Sequence, residues 1–193
     1  FFFFFPTIGN YRIMQLKQEA SKAFYRWNTK ISEQLSIGKS YQNYEINNNT
    51  YEGRTDFFQT GIDFNAQFTK WFGISSINLY TFNKTYINNK TSEKNISTFN
   101  SLNSAFINLT KNLTLNVEGQ YYYNNYFRKE KTSLFLNSTL EWRLKSVTLN
   151  MECINLLNKN VFHKITDSSV LKSENSLELR GRTFLVGIRF RII

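Results

Sequence analysis

The residues of this chain that could do chemistry are charged side chains at alternate positions in its carboxy-terminal half. Glutamates and arginines recur there on one parity of runs whose other parity is apolar, as the two-residue side-chain period of a β-strand requires. Carboxylates and guanidiniums placed in this way can line a polar interior or hold a second domain through charge-assisted pairs. The candidate residues are Glu118, Glu141, Arg143, Glu152, Arg180, Arg182 and Arg189.

The sequence contains no pattern that is typical of a catalytic site. Its one histidine, His163, falls in a predicted loop, and its one cysteine, Cys153, falls on the apolar parity of a predicted strand. No nucleophile–base pair, glycine-rich phosphate loop or His/Cys metal cluster can be recognised. We therefore expect a protein that is not an enzyme, with no catalytic residue, cofactor or metal, in which Cys153 is a small apolar filler.

Nine alternating runs predict the strands that would position the charged side chains. In one of them Leu115 and Val117 alternate with Asn116 and Glu118, so that one face is apolar and the other polar. Only Lys145 and Ser146 separate two of these runs, and a two-residue link between strands of this length can only form a hairpin, so the sheet is expected to be antiparallel. The predicted strands are 9–19, 23–37, 55–69, 72–86, 96–109, 113–127, 132–144, 147–157 and 177–192.

The predicted connections alternate between tight and loose. Those expected to be short are 20–22, 70–71, 110–112 and 145–146, and those expected to be longer are 38–54, 87–95, 128–131 and 158–176. Outer-membrane barrels sort their connections in this way, whereas a soluble sandwich has no reason to do so. Runs of about 13 to 15 residues also exceed the usual sandwich strand of about 5 to 6 and suffice for a tilted membrane crossing.

Composition agrees with a membrane-spanning β-barrel. The 193 residues include 17% aromatic residues and one proline, with no apolar run long enough for a transmembrane helix. A net charge of +10 could indicate nucleic-acid binding. The basic residues gather in predicted loops, however, where they suit an anionic lipid leaflet, and we expect no nucleic-acid partner.

Two features do not fit a simple, complete barrel. Leu102 and Phe106 lie on what should be the polar parity of their strand, so either they contact a structure inside the barrel or the register is shifted. Nine strands is also an odd number, whereas single-chain bacterial barrels normally have an even one. Either a strand near Phe1 to Phe5 escapes detection, or the chain is part of a larger barrel.

Two carboxy-terminal segments resemble TonB-dependent outer-membrane receptors, in particular the barrel families common in Bacteroidetes. From Cys153 to Phe162, a strand ends in Asn-Leu-Leu-Asn followed by a lysine and an aromatic residue, with Leu157 where the family usually has phenylalanine. From Leu179 to Ile193, Gly-Arg precedes a closing strand of alternating apolar residues, although the family usually ends on an aromatic residue. The likeness covers roughly the last 80 residues.

The resemblance implies an all-β, antiparallel, up-and-down transmembrane β-barrel, of which residues 1–193 would be the last nine or ten strands. It implies a location in the cell outer membrane, contact with its lipid and lipopolysaccharide, and uptake of a nutrient powered through the TonB system. The plug domain and the segment that contacts TonB would lie outside this chain, and a surface lipoprotein is a possible further partner. The closing strand would carry the barrel-assembly signal on Phe184, Val186, Ile188, Phe190 and Ile192.

Two other functions stay open at this point. One is an outer-membrane barrel that serves as a scaffold or a secretion component without transport. The other is a soluble basic β-protein that binds glycan or single-stranded nucleic acid, since an aromatic-rich basic sheet suits such ligands.

Overall fold

The computed structural model describes residues 2–6, 11–25, 28–46, 49–88, 90–91, 95–127, 130–167 and 172–190. Over these residues the protein is built from β-strands, and all of the strand pairs are antiparallel. The strands are β1 Phe2–Pro6, β2 Tyr11–Phe24, β3 Thr29–Ile46, β4 Asn49–Gln67, β5 Phe72–Ile87, β6 Lys90–Thr91, β7 Ile96–Asn108, β8 Leu113–Asn124, β9 Thr132–Arg143, β10 Val147–Ile154, β11 Val161–Asp167, β12 Lys172–Glu178 and β13 Thr183–Phe190.

One large sheet contains eleven of these strands in the order β1-β2-β3-β4-β5-β7-β8-β9-β10-β13, with the short β6 paired to β5. All nine predicted strands have a counterpart in it, which confirms the all-β, antiparallel, up-and-down fold. Within the described ranges β1 and β13 lie at opposite ends of the pairing order and do not pair with each other. The sheet is therefore open over these residues.

The two ends of the strands differ in their connections. At one end, which we call the tight-turn end, three or four residues separate β2 from β3, β4 from β5, β7 from β8 and β9 from β10. Asn28 has a φ of 42° in the first of these, a left-handed conformation that asparagine tolerates better than most residues. At the other end, the loop end, β3 is followed by β4, β5 by β7, β8 by β9, and β10 by β13 in the large sheet.

The predicted loop from 38 to 54 is wrong, because β3 and β4 continue through it. The two strands pair without interruption from Thr29 opposite Ala66 to Ile46 opposite Asn49. Beyond Ile37 the alternation between apolar and polar residues ends. The sequence pattern therefore does not predict a strand there, although the backbone pairing continues. The predicted turn at 20–22 is likewise wrong by a few residues, since β2 continues to Phe24.

The predicted loop from 158 to 176 also contains regular structure. β11 and β12 form a separate two-stranded hairpin within it, in which Phe162 lies opposite Leu177. His163 therefore lies on a strand, not in an irregular loop as predicted. The hairpin packs onto the large sheet at its loop end through Phe162.

We name the two faces of the large sheet after neighbouring residues of β8. Directly opposed residues point to the same side, so the pairing carries each face across the sheet. One row of the Val117 face contains Phe24, Thr29, Ala66, Ile74, Ala105, Val117, Ser138, Cys153 and Phe184. The opposite side is the Glu118 face.

This row is oblique to the ends of the strands. It begins at Phe24, the last residue of β2 before a tight turn, and ends at Phe184, six positions before Phe190 at the end of β13. The register thus shifts steadily in one direction across the sheet. A stagger of this kind accompanies the strand tilt of closed barrels.

The sheet is a single layer with little interior. Among the described residues the buried apolar side chains are those of Ala66, Ile96, Phe127 and Cys153. A soluble domain usually buries one face of a sheet against a second layer. The described residues include no helix long and apolar enough to cross a membrane.

Candidate functional site

The Glu118 face carries most of the charged residues that the sequence singled out. Strand pairing places Glu118, Glu141, Arg143, Glu152 and Arg189 on it, spread over β8, β9, β10 and β13. Glu141 and Arg143 are two positions apart on β9, and the Arg143 Nε donates to Glu141 Oε1. These residues form a polar surface of mixed charge. The described part of the chain holds no His/Cys/Asp/Glu group suited to a metal ion.

Arg180 and Arg182 lie elsewhere, in the connection that precedes β13. The Arg180 carbonyl accepts a hydrogen bond from Asn155 Nδ2 at 2.9 Å. Arg182 donates its backbone N–H to Asn158 Oδ1 and its Nε to the Leu156 carbonyl, both at 2.9 Å. Both arginines therefore join the end of β10 to the start of β13.

Asn155 and Asn158 organise this junction. We call the four residues Asn155, Asn158, Arg180 and Arg182 the asparagine clasp. Both asparagines have left-handed backbones, with φ values of 56° and 53°. Asn155 is 6% exposed, and its side chain also donates to the Lys159 carbonyl at 2.7 Å and accepts from the Lys159 N–H at 2.9 Å. The residues that carry the family resemblance thus have a structural role, because their hydrogen bonds fix the path of the chain where it leaves β10 and where it enters β13.

An aromatic cluster covers the Glu118 face near the loop end. Phe162 of the β11–β12 hairpin packs edge-on against Tyr122 of β8 and Phe135 of β9, with ring centroids 5.2 and 5.5 Å apart. Next to it, His163 lies 5.7 Å from the Phe127 ring, and its Nε2 is 3.1 Å from Glu130 Oε2. The hairpin therefore lies folded over this face.

Sequence reasoning missed Phe162 and its two partners as functional candidates. Phe135 gave a signal, because it is an aromatic residue between Leu134 and Leu136 and thus on the polar parity of β9. Tyr122 gave the same signal on β8. Aromatic residues on a polar parity indicate that something apolar packs against that face, but the sequence does not say what.

A polar recess lies on the Glu118 face of β2, β3 and β4. It has a volume of about 330 Å³, and its charged lining residues on this face are Glu19, Lys30 and Asp63. The amide side chain of Gln34 lies across Gly61 at the floor, where an added Cβ would come within 2.7 Å of the Gln34 Nε2. Its charged and amide groups suit a hydrophilic ligand.

The pairing shows that the unexpected positions of Leu102 and Phe106 are not a register error. Leu102 lies opposite both Ile77 and Gln120, and Phe106 lies opposite both Gly73 and Asn116, so all of them are on the Glu118 face. The Phe106 ring lies against Gly73, where an added Cβ would be 2.2 Å from it. β5 and β7 therefore carry apolar side chains on the otherwise polar face.

The Val117 face of the same two strands carries a closed ring of polar side chains. Ser76 donates to Asn103, Asn103 to Ser101, Ser101 to Asn78, and Asn78 back to Ser76, over distances of 2.6 to 2.9 Å. Each of the four side chains donates once and accepts once within the ring. We call it the Ser–Asn ring.

The terminal strand presents its apolar residues on the Val117 face. Phe184, Val186, Ile188 and Phe190 lie opposite Cys153, Met151, Leu149 and Val147 of β10 and are 58–71% exposed. Ile192 lies outside the described residues. Cys153 is 8% exposed on this face, as expected for an apolar filler.

Comparison with known proteins assigns this chain to no family. No family model matches the sequence, no curated protein matches it, and no solved structure matches the chain.

Proposed function

We propose that this chain forms the carboxy-terminal part of an outer-membrane β-barrel that takes up a nutrient by TonB-dependent transport. The observation that carries the proposal is the Val117 face, on which large apolar side chains predominate and the polar exceptions include Lys22, Glu33 and the Ser–Asn ring. Monomeric soluble proteins rarely leave a continuous apolar face open to water. The large apolar side chains exposed on it are Met14, Leu16, Ile31, Leu35, Ile37, Ile62, Phe72, Leu134, Trp142, Met151, Phe184, Val186, Ile188 and Phe190.

Most aromatic residues on this face lie at two levels, with Phe64 between them, and the interfacial girdles of membrane barrels have this arrangement. Phe72, Trp142 and Phe190 lie near the tight-turn end, and Phe58, Tyr80, Phe82, Phe99, Tyr121 and Tyr123 lie towards the loop end. Phe72 and Phe82 are ten positions apart on β5. At about 3.3 Å per residue and a tilt of about 40°, that is about 25 Å along the membrane normal, the height of a barrel's apolar band.

The other features fit this arrangement. The Glu118 face would line the lumen, and the hairpin held by Phe162 would narrow it at the outer mouth. The tight turns would face the periplasm, where β13 also ends. The open sheet calls for further strands to close a barrel, because an unpaired edge cannot remain inside a bilayer.

The TonB-dependent part of the proposal rests on the resemblance of the asparagine clasp and the closing strand to that receptor family. The test uses the intact protein from its native cells. We expect it in the outer-membrane fraction, with an electrophoretic mobility in SDS that changes on boiling, and retained by the immobilised periplasmic domain of TonB.

Two results would count against the proposal, and they separate its parts. Recovery in the soluble fraction without detergent would overturn the membrane barrel. Recovery in the outer membrane with no retention by TonB would overturn transport and favour a scaffold or secretion barrel.

A further inference from the structure

The polar recess on β2, β3 and β4 adjoins an exposed apolar strip on β5 and β7. Asp63, which lines the recess, lies directly opposite Ile77, and Ile77 lies directly opposite Leu102. Ile77 is 50% exposed and Leu102 is 45% exposed. Neighbouring strands are about 5 Å apart. A charged recess and an open apolar surface are therefore in contact on the same face of the sheet.

Two opposite charges in the recess have no partner among the described residues. Lys30 and Asp63 are diagonal neighbours on adjacent strands, because Asp63 is opposite Ser32, two positions from Lys30. Within the described ranges, neither of these two side chains makes a hydrogen bond or an ion pair. Glu19, in contrast, is paired with Lys17. The recess thus offers one unpaired carboxylate and one unpaired ammonium group.

The chemistry of the lining restricts the class of ligand. Ser32 and the amide of Gln34 follow Lys30 at alternate positions of β3, so the recess also contains hydrogen-bond donors and acceptors. An anionic ligand would meet the carboxylates of Glu19 and Asp63. A neutral sugar would leave the charges of Lys30 and Asp63 unpaired. A ligand with an ammonium group, a carboxylate and an amide between them satisfies all of these groups.

We infer that the recess binds a short peptide with free termini and an apolar first side chain. This inference rests on the proposed function and deepens it, because it names the chemical class of the nutrient. The peptide's ammonium group pairs with Asp63 and its carboxylate with Lys30, while its first side chain lies against Ile77 and Leu102. Two extended residues span about 7 Å, which is close to the separation of diagonal neighbours in a sheet. The volume of about 330 Å³ is at the lower end of the range for ligand sites.

The test measures peptide binding by titration calorimetry of the intact protein purified in detergent. The probe is the dipeptide leucyl-alanine. Acetylation of its amino group and amidation of its carboxyl group each remove one charge, and each should weaken binding about tenfold or more. Seryl-alanine, which cannot cover the apolar strip, should bind about fivefold more weakly. Free leucine and maltose are the competitors that represent an amino acid and a sugar.

Three variants assign the contacts separately. Asp63→Asn should abolish the difference between leucyl-alanine and its acetylated form, and Lys30→Gln the difference between the dipeptide and its amide. Leu102→Ala should reduce the preference for leucyl-alanine over seryl-alanine. The matched control is Glu52→Gln, which removes an exposed carboxylate from the other face of β4 and should change none of these ratios.

The proposed function and the peptide site fail in different ways, because heat-modifiable mobility is measured on the same preparations. A protein without it overturns the barrel, whatever it binds. In a heat-modifiable protein, equal affinity for leucyl-alanine and its acetylated and amidated forms overturns the site, even where a variant does not fold. Binding of free leucine or maltose as tight as that of leucyl-alanine overturns the assignment to a peptide. Loss of discrimination at the matching terminus in Asp63→Asn and Lys30→Gln, but not in Glu52→Gln, supports it.

Discussion

The hydroxyl of Ser76 donates to Asn103 Oδ1 at 2.6 Å across the β5–β7 pair. The two residues are directly opposed. Asn78 and Ser101, two positions further along each strand, are opposed in the same way, and the four side chains form the Ser–Asn ring. Polar groups in an apolar environment are costly unless they are hydrogen-bonded. Because each of the four side chains donates once and accepts once within the ring, the cost of placing it between the two aromatic levels of the Val117 face is reduced.

Breaking the ring should destabilise the sheet. Asn103→Ala leaves Ser76 without its acceptor and Ser101 without the Asn103 donor, and should lower the free energy of unfolding by about 1 to 3 kcal/mol. The measurement is a urea titration of the protein folded in lipid vesicles. The control is Asn100→Ala on the same strand, which removes a single 3.4 Å contact with Gln120 on the other face. Equal shifts in the two variants would contradict a special role for the ring.

The sequence predicted the strands wherever apolar and polar residues alternate, and most reliably where they did so without interruption, as around Val117. It failed in the outer half of the β3–β4 ribbon, because strand pairing there continues through residues such as Lys39 and Arg54 that carry no apolar alternation. Leu102 and Phe106 indicated an exception on β7, but the Ser–Asn ring depends on the β5–β7 register. That register is set by two strands together and cannot be read from either one alone.

The assignment of faces can be tested by placing a charge on each side of β8. Val117→Arg puts a guanidinium on the apolar face and should cost roughly 2 to 4 kcal/mol near the bilayer midplane, as should Leu115→Arg. Asn116→Arg, on the Glu118 face, should cost little. Folding titrations in vesicles measure all three variants. Similar costs for Val117→Arg and Asn116→Arg would refute the orientation of the two faces.

Substitution of Gly73 should destabilise the sheet, because an added side chain would clash with Phe106. A Cβ at this position would lie 2.2 Å from the Phe106 ring and 3.1 Å from the Ala66 carbonyl oxygen, so Gly73→Ala should cost about 1 to 3 kcal/mol. Phe106→Ala removes the ring clash. This substitution should therefore lower the free energy of unfolding less in the Gly73→Ala variant than in the parent protein.

Gly119→Ala is the matched control for Gly73→Ala, because the nearest atom to its added Cβ is 3.8 Å away. This substitution should be neutral or slightly stabilising, since glycine inside a strand is entropically unfavourable. Urea midpoints in vesicles measure the whole set. A loss for Gly119→Ala as large as that for Gly73→Ala would show that Phe106 is not the cause.

The β11–β12 hairpin should depend mainly on Phe162 for its position on the sheet, beside the smaller contribution of His163 through Phe127 and Glu130. Phe162 supplies its ring contacts with Tyr122 and Phe135, so Phe162→Ala should free the hairpin while leaving the large sheet intact. Hydrogen exchange of the amides in residues 161–167 and 172–178 should then become faster, and the amides of β8 and β9 should keep their protection. Val161→Ala, one residue away at an exposed position, is the control. If exchange in the hairpin stays slow without Phe162, other contacts hold the hairpin over the Glu118 face. Loss of the Phe162 contacts would then not be enough to open the constriction that the hairpin forms.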